Sequence, residues 1–271
     1  MDVEAGRLPS PERLAEACLR VETSDGVATL TLDRPDKRNA QTPLLWRTLA
    51  EVGTALVGQV RVVVVRAEGQ TFSAGLDLRM ITPEGIPGEL AFHEMAGLPP
   101  ADLDALIETY QQGFSWLRDP SFVSIAAVQG HAVGAGFQLA LACDLRVAAD
   151  DALFAMREPS LGLVPDLTGT HPLVAAIGYS RALEICATGR WVSAEEAART
   201  GLVNLAVPRE ELDDAVNDLA RALLSAPPGA VSATKALLQQ AASNEYPAQL
   251  AAERVAQGHR LRALRAATGI G

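Results

Sequence analysis

The chain has 271 residues, of which 48% are hydrophobic and 21% charged, ordinary proportions for a globular protein with a full core. Its formal net charge of -10, without any dense cluster of Lys and Arg, argues against a nucleic-acid-binding surface. The scattered Cys18, Cys143 and Cys186 have no CxxC spacing, which fits neither a disulfide framework nor a zinc site. We therefore expect a cytoplasmic protein without a metal.

The N-terminal segment lacks the basic and apolar regions of a signal peptide. Because no stretch of about 18 uncharged apolar residues follows, we expect neither secretion nor a membrane span. We predict that residues 1–17 are loosely ordered and that residues 18–200 form the main folded core with the binding site. Residues 201–271 are predicted to form a helical C-terminal region.

The first predicted elements alternate between strand and helix. Two short strands flank Asp25-Gly26, a dipeptide that suits a type I′ hairpin turn. Helical spacing follows over residues 42–56, and a β-branched run predicts a buried strand over residues 60–69. Strand, helix and strand in this succession are typical of a parallel sheet.

Residues 82–100 contain four prolines and three glycines, so we predict a mobile loop with at most a short helix. Loops of this kind often cover active sites. Helices are predicted beyond it over residues 103–117 and 134–142, and strands over residues 122–128 and 145–149. After Pro165 the pattern is mainly helical, over residues 171–178, 180–188, 194–200, 210–225, 231–242 and 246–266, with one strand over residues 202–207.

Two glycine-rich stretches stand out, FSAGLDLR at residues 72–79 and GHAVGAGFQLALACD at residues 130–144. Each has the pattern of a strand that bends into a helix. A helix start offers unpaired N–H groups and the positive end of a dipole, and Gly or Ala lets a substrate oxygen approach closely. Together the stretches predict a site that stabilises an oxyanion. Either stretch alone would be explained equally well by close packing of a helix on a sheet.

Two more segments, RPDKRNA at residues 34–40 and MREPSLGLVPDLTGT at residues 156–170, complete a set of four ordered motifs. Over residues 21–238 the set resembles the crotonase superfamily, the enoyl-CoA hydratase and isomerase family. The resemblance implies an α/β fold, a crotonase-like spiral of ββα units with a helical C-terminal region that builds homotrimers, often paired into hexamers. It also implies an acyl-CoA thioester substrate, with coenzyme A as part of the substrate and no separate cofactor.

The same resemblance assigns the backbone N–H groups of the oxyanion hole to Leu76 and Ala135. Family hydratases carry one Glu in each of two catalytic positions, and this chain has Gln138 in the first and Glu158 in the second. A neutral amide cannot accept a proton at useful pH, although it can hold water by hydrogen bonds. Hydratases usually carry Gly where this chain has Asp166.

Asp166 leaves two interpretations open. Its spacing from Glu158 resembles the dienoyl-CoA isomerase branch, although that branch has an Asp where this chain has Gln138, and a lone Glu158 resembles the Δ3,Δ2-enoyl-CoA isomerases. Alternatively, Asp166 lies just ahead of a predicted helix and caps it. We treat Glu158, Asp166 and Gln138 as the candidate catalytic residues.

The resemblance also aligns several residues with the loops that contact CoA in the family. Arg and Lys suit phosphate by charge and geometry, although scattered cations are also typical of a solvated surface, and the aligned Asp is also placed to cap the following helix. The aligned residues are Lys37, Arg38, Ala40, Ala74, Asp77 and Arg79.

The resemblance favours an enzyme that moves a proton, and with it a double bond, in an enoyl-CoA thioester through an oxyanion-stabilised enolate. Two alternatives stay open. A hydratase would add water to a trans-2-enoyl-CoA, with Gln138 orienting the water for Glu158. A non-catalytic acyl-CoA-binding protein would keep the CoA site but lack turnover, because the acid at the Gln138 position is missing.

Overall fold

The computed structural model describes residues 6–268, and the strands in this part of the chain form two sheets. The large sheet has six strands in the order β1-β2-β3-β4-β6-β9, and the small sheet has three in the order β5-β7-β8. The strands are β1 (Leu19–Ser24), β2 (Val27–Leu32), β3 (Val62–Ala67), β4 (Val123–Val128), β5 (His131–Val133), β6 (Leu145–Ala149), β7 (Leu153–Ala155), β8 (Val192–Ser193) and β9 (Leu205–Val207).

Helices connect and cover these strands. The α-helices are α1 (Pro11–Glu16), α2 (Pro43–Leu56), α3 (Phe92–Met95), α4 (Pro100–Ser115), α5 (Ala135–Ala142), α6 (Thr170–Ile177), α7 (Tyr179–Thr188), α8 (Ala194–Thr200), α9 (Leu212–Ser225), α10 (Pro228–Ala241) and α11 (Tyr246–Thr268). Short 3-10 helices lie at Pro35–Lys37, Leu78–Ile81, Trp116–Arg118, Glu158–Leu161 and Arg209–Glu211. No helix in the described part of the chain is long and apolar enough to cross a membrane.

The large sheet is parallel apart from its first hairpin. Strands β1 and β2 pair antiparallel, and the two residues that join them, Asp25 and Gly26, both have positive φ, at 52° and 80°. Positive φ at both central positions is the requirement of a type I′ turn, so the predicted hairpin is confirmed. The remaining neighbours, from β2 through β9, pair parallel.

The chain advances as a spiral that feeds both sheets in turn. Strand β4 of the large sheet is followed by β5 of the small sheet, and β6 is followed by β7 in the same way. An isolated parallel bridge between Ser73 and Ala132 continues this pattern after β3. The strands of the small sheet are only two or three residues long, too short for a periodic pattern, and were not predicted from the sequence.

Both faces of the large sheet are buried. In β3, Val63 and Val65 belong to the main core under α2, α4 and α5, whereas Val62 and Val64 pack in a second cluster with the apolar face of α9. Successive side chains of a strand point to opposite faces, so an unbroken run of Val fits a strand that is covered twice. Both β9 and α9 therefore belong to the sheet core, although they lie beyond residue 200.

Residues 10–17 are more ordered than we predicted for residues 1–17, of which residues 1–5 lie outside the described part of the chain. Helix α1 forms within this segment, begun by Ser10, whose Oγ accepts a hydrogen bond from the Arg13 N–H. The Arg13 side chain is paired with Glu51 of α2 at 2.9 Å, and Leu14 packs against the main core. Pro, Ser and Glu at a helix start explain this order, because they cap a short helix as readily as they occupy a loop.

Candidate active site

The two glycine-rich motifs meet where the large and small sheets adjoin. The Ser73 N–H donates to the His131 carbonyl and the Val133 N–H donates to the Ser73 carbonyl, both at 2.9 Å. Gly75 has φ +93°, and a Cβ there would lie 2.7 Å from the Val133 oxygen. Only Gly combines this conformation with so close an approach, so Gly75 sets the contact between the two motifs.

The two predicted oxyanion-hole residues line the same cavity, which has a volume of about 170 Å³. Ala135 is the first residue of α5, and a Cβ at Gly75 would lie 3.6 Å from its nitrogen, which places that nitrogen beside the Leu76 segment. In the described structure, neither the Leu76 N–H nor the Ala135 N–H donates to a protein acceptor. Two free N–H groups in one cavity suit a thioester oxygen.

Glu158, in the motif at residues 156–170, lines the same cavity as these two donors. It begins the 3-10 helix Glu158–Leu161 and is only 5% exposed. Gly134 has φ +49°, and a Cβ there would lie 3.1 Å from the Glu158 Oε1. The absence of a side chain at Gly134 therefore keeps the carboxyl group open at the start of α5.

The Gln138 side chain is completely buried and is held by three hydrogen bonds. Its Oε1 accepts from the Leu167 N–H at 2.8 Å and the Gly169 N–H at 3.3 Å. Its Nε2 donates to the Glu158 Oε1 at 2.6 Å. Because backbone N–H groups only donate, the oxygen of the amide must face the loop and the nitrogen must face Glu158.

The surroundings of the Glu158 carboxyl group raise its affinity for a proton. Burial raises the pKa of this carboxyl group, and the nearby Asp166 carboxylate raises it further, whereas the backbone N–H groups of Glu158 and Arg157 and the hydrogen bond from Gln138 lower the pKa. Its Oε2 is buried and has no hydrogen-bond partner among the described residues. A desolvated carboxylate with one uncommitted oxygen is a stronger proton acceptor than an exposed one.

Asp166 does not cap the helix that follows it. The N-cap of α6 is Gly169, and no side chain makes the capping hydrogen bond. The capping interpretation is therefore wrong, because the chain turns at Thr168, where φ is +69°, and the helix begins only at Thr170. Asp166 is half-buried, and burial raises the pKa of its carboxyl group.

Asp77 connects the motif at residues 72–79 to the predicted CoA-binding loop at residues 34–40. Its carboxylate accepts from the Arg34 Nη1 at 2.8 Å and the Arg79 Nη2 at 2.8 Å, and these pairs hold its pKa well below its usual range. Its Oδ1 also accepts from the Arg79 N–H at the start of the 3-10 helix Leu78–Ile81. Asp77 thus caps this helix and also pairs with two guanidinium groups.

The other predicted CoA contacts are divided between two cavities. Ala74 lines the cavity that holds Glu158, and its N–H donates to the Arg38 carbonyl at 2.9 Å. Ala40 and Arg79 line a neighbouring cavity of about 260 Å³. The side chains of Lys37 and Arg38 are exposed on the loop around the 3-10 helix Pro35–Lys37.

The sequence was compared with models of known protein families. The family model described as enoyl-CoA hydratase/isomerase matches residues 22–270. The chain belongs to the enoyl-CoA hydratase/isomerase family. The match covers both glycine-rich motifs, Glu158 and the whole lining of the cavity around it, and it confirms the crotonase resemblance drawn from the sequence.

Named relatives of this family member catalyse more than one reaction. A protein from Rhodobacter capsulatus named "probable enoyl-CoA hydratase" is 34% identical over 89% of this chain and 88% of its own. The 4-chlorobenzoyl coenzyme A dehalogenase-2 of an Arthrobacter species is 34% identical over 83% and 79%. A crystal structure from Thermobifida fusca YX in complex with CoA is 48% identical, with a TM-score of 0.91 over 97% and 99%. These matches confirm the predicted fold.

Several residues at the site of this family member were not predicted from the sequence. Arg34 lies in the motif at residues 34–40, but its ion pair with Asp77 was not predicted. The hydrogen bonds from the Leu167 and Gly169 N–H groups to Gln138 were not predicted either. Arg157 lines the cavity beside Glu158, and its guanidinium carbon lies 5.0 Å over the Trp191 ring. Arg157 could have been predicted as a site residue from the sequence, because it is a charged residue directly before the candidate base Glu158.

Proposed function

We propose that the protein is an enoyl-CoA isomerase that moves a double bond between carbons 3 and 4 of an acyl-CoA thioester to carbons 2 and 3. The observation that carries the proposal is the meeting of Glu158, with its free Oε2, and the free N–H groups of Leu76 and Ala135 around one cavity. One buried base and one pair of oxyanion donors are sufficient for this reaction.

The proposed reaction has two proton-transfer steps. Glu158 Oε2 removes a proton from carbon 2, and the electron pair of the broken C–H bond moves into the thioester, giving a dienolate whose oxygen is bound by the Leu76 and Ala135 N–H groups. The protonated Glu158 then returns the proton to carbon 4, and the electrons shift back to form the double bond between carbons 2 and 3. No atoms are gained or lost by the acyl group.

The state of Gln138 favours isomerisation over hydration. A hydratase needs a second acid–base group to activate water, and the amide at this position cannot supply one. Its carbonyl oxygen is committed to Leu167 and Gly169, and its nitrogen donates to Glu158. Asp166 lies close enough to affect the pKa of Glu158, and we propose it as an auxiliary proton carrier.

Hydration of a trans-2-enoyl-CoA is the second candidate. It is favoured by the name of the Rhodobacter capsulatus relative and by the acidic Asp166 near Glu158. In that reaction Asp166, instead of the residue at the Gln138 position, would activate the water. The third candidate is a protein that binds acyl-CoA without converting it, because the acid at the Gln138 position is missing.

The CoA portion of the substrate is proposed to bind along Lys37, Arg38, Ala40, Ala74, Asp77 and Arg79. The Thermobifida fusca structure with CoA, which is 48% identical to this chain, supports this assignment. Arg79 is half exposed at the edge of the second cavity, where its outer guanidinium edge can meet phosphate while it stays paired with Asp77.

The test of the proposed function is mass-resolved chromatography of a medium-chain 3-enoyl-CoA after incubation with the purified protein. Isomerisation gives a product of unchanged mass and shifted retention. In a parallel incubation with trans-2-enoyl-CoA, a product heavier by one water, together with unchanged 3-enoyl-CoA, would show a hydratase, because water adds only to a double bond that is conjugated with the thioester. Both substrates unchanged across several chain lengths, with CoA thioester still bound, would support the binding protein.

A homotrimer or a hexamer is part of the same proposal. Helix α11 leaves Leu250, Val255 and Leu261 exposed, and α10 leaves Leu238 70% exposed. Apolar side chains exposed together on two terminal helices favour a contact with a second copy. Light scattering coupled to size-exclusion chromatography should give three or six chain masses, and a monomer would contradict this.

A further inference from the structure

The Gln138 side chain lies next to the Glu158 carboxyl group and binds one of its two oxygens. It is completely buried, and it joins three parts of the chain: its own helix α5, the carboxyl group of Glu158, and the loop that runs through Leu167 and Gly169. None of these hydrogen bonds involves a substrate. Its contribution is therefore present in the free protein.

The loop sets the orientation of the amide. Thr168 has φ +69°, which is uncommon for a β-branched residue. This turn aims the N–H groups on either side of Thr168 at the same Gln138 oxygen, at 2.8 and 3.3 Å. Rotating the amide by half a turn would place its NH2 group against two donors, so the observed orientation is the only satisfied one.

That orientation has a consequence for the Glu158 carboxyl group. The Gln138 Nε2 binds the Oε1 atom at 2.6 Å, whereas the Oε2 atom has no partner in the described part of the chain. The two oxygens are therefore distinguished before substrate arrives. A proton taken from a substrate carbon would go to Oε2, the uncommitted oxygen.

We propose that Gln138 is a positioning residue, which holds the Oε1 of Glu158 through an amide oriented by the Leu167 and Gly169 N–H groups and leaves Oε2 as the atom that moves the proton. This inference rests on the proposed function and deepens it. Gln138 thereby changes from a candidate catalytic residue, as the sequence suggested, to one that acts through Glu158.

The groups around Glu158 give this arrangement a measurable pH dependence. Burial raises the pKa of Glu158, and Asp166 on the loop raises it further. Burial also raises the pKa of the Cys186 thiol on α7, with a smaller contribution from Glu158. Arg157 precedes Glu158 and lines the same cavity. Gln138 acts against burial, because its hydrogen bond stabilises the charged carboxylate. Removing this donor should move the titration of Glu158 to higher pH.

Two substitutions separate the roles of the two ends of the amide. Gln138→Met keeps the length of the side chain and removes both ends. Gln138→Glu keeps an oxygen for the Leu167 and Gly169 N–H groups but replaces the donor to Glu158 by a second carboxyl group. Gln138→Glu raises the pKa of Glu158 by like-charge repulsion as well as by loss of the donor, so Gln138→Met, which adds no charge, isolates the loss of the donor.

The experiment is a carbon-13 NMR titration of the glutamate carboxyl groups in the full-length protein, with the Glu158 signal assigned by its loss in Glu158→Gln. Both Gln138→Met and Gln138→Glu should move the Glu158 titration to higher pH, and both should lower kcat for 3-enoyl-CoA by about 100-fold with little change in KM. An unchanged Glu158 titration in Gln138→Met would overturn the proposal.

The titration does not depend on turnover. If the unmodified protein converts no enoyl-CoA, the proposed function fails, and the NMR result still decides whether Gln138 governs Glu158. If Gln138→Met does not fold, judged by circular dichroism, Gln138→Leu decides instead, because it also removes the donor without adding a charge.

Discussion

A 2.6 Å hydrogen bond from the Gln138 Nε2 to the Glu158 Oε1 joins the motif at residues 130–144 to the motif at residues 156–170. It leaves the Glu158 Oε2 buried and without a partner among the residues that the structure describes. Unpaired buried polar atoms destabilise a fold and are concentrated at functional sites. The same carboxyl group lines the cavity that holds the two oxyanion-hole residues.

The first prediction concerns the stability cost of this base. Burial raises the pKa of Glu158 in the folded protein, so the folded protein keeps a proton that the unfolded chain loses at lower pH. The free energy of unfolding therefore falls as pH rises from the unfolded-state pKa through the folded-state pKa. Glu158→Gln should be more stable than the unmodified protein at neutral pH, by about 1 kcal/mol.

Urea unfolding of both proteins at several pH values measures this difference. The gain from Glu158→Gln should shrink toward acidic pH, where the carboxyl group of the unmodified protein is protonated. Equal stability of the two proteins at every pH would show that burial of the charge carries no cost.

The second prediction concerns the contact between the two glycine-rich motifs. A Cβ at Gly75 would lie 2.7 Å from the Val133 oxygen, so Gly75→Ala should push the Leu76 N–H away from the Ala135 N–H. We expect kcat for the enoyl-CoA substrate to fall by about 100-fold, since small misplacements of catalytic groups have effects of that size.

Gly58→Ala is the matched control, because Gly58 also has positive φ, at +76°, but nothing lies within 4 Å of its added Cβ. Gly58→Ala should cost about 1 kcal/mol of stability through backbone strain, and Gly75→Ala should cost more, because its Cβ also lies 2.7 Å from the Val133 oxygen. Only Gly75→Ala should lose turnover. Equal loss of kcat in both variants would point to general destabilisation instead.

The third prediction separates the two arginines that pair with Asp77. The Arg34 side chain is 18% exposed and also donates to the Ala40 carbonyl, whereas the Arg79 side chain is 49% exposed. Arg34→Ala should cost about 2 kcal/mol of folding stability, because it leaves a buried carboxylate and carbonyl less satisfied. Arg79→Ala should cost under about 1 kcal/mol.

Substrate binding should respond in the opposite order. If Arg79 contacts phosphate, Arg79→Ala should raise KM for a CoA thioester about tenfold and leave KM for the corresponding pantetheine thioester unchanged. The comparison of the two thioesters is the control, because pantetheine lacks the nucleotide. An equal rise of KM for both would place the Arg79 effect elsewhere.

The fourth prediction concerns the attachment of the terminal helices. Lys235 of α10 is 8% exposed, and its Nζ donates to the Asp119 carbonyl, the Phe122 carbonyl and the Asp144 carboxylate at 2.6, 2.8 and 2.7 Å. Lys235→Met would leave these acceptors buried without the ammonium group. We expect a loss of about 3 kcal/mol in urea unfolding. The exposed Gln240→Ala on the same helix should change stability by under about 0.5 kcal/mol, and similar losses for both variants would contradict this account.

The sequence was most informative where function depends on the backbone. The family resemblance assigned the oxyanion-hole N–H groups to Leu76 and Ala135, and both residues line the cavity that holds Glu158. Helix α2 and the strand β3 were predicted because their apolar patterns are long. The two- and three-residue strands of the small sheet give no comparable pattern.

Long-range side-chain contacts account for what the sequence did not predict. The Leu167 and Gly169 N–H groups lie 29 and 31 residues from Gln138 along the chain, and no local pattern links them. The Asp166 prediction was wrong as a cap because the positive φ of Thr168 delays the start of α6. Neither feature can be deduced from residue types, since both depend on how the loop packs on α5.

The most direct test of the central claim compares the unmodified protein with Glu158→Gln and Asp166→Asn on one medium-chain 3-enoyl-CoA. Turnover is followed by mass-resolved chromatography, and binding of the product CoA thioester by calorimetry. We predict that Glu158→Gln lowers kcat at least about 1000-fold and binds the product with an affinity within about threefold of the unmodified protein. Asp166→Asn should retain measurable isomerisation. Undiminished turnover in Glu158→Gln would contradict the assignment of Glu158 as the base.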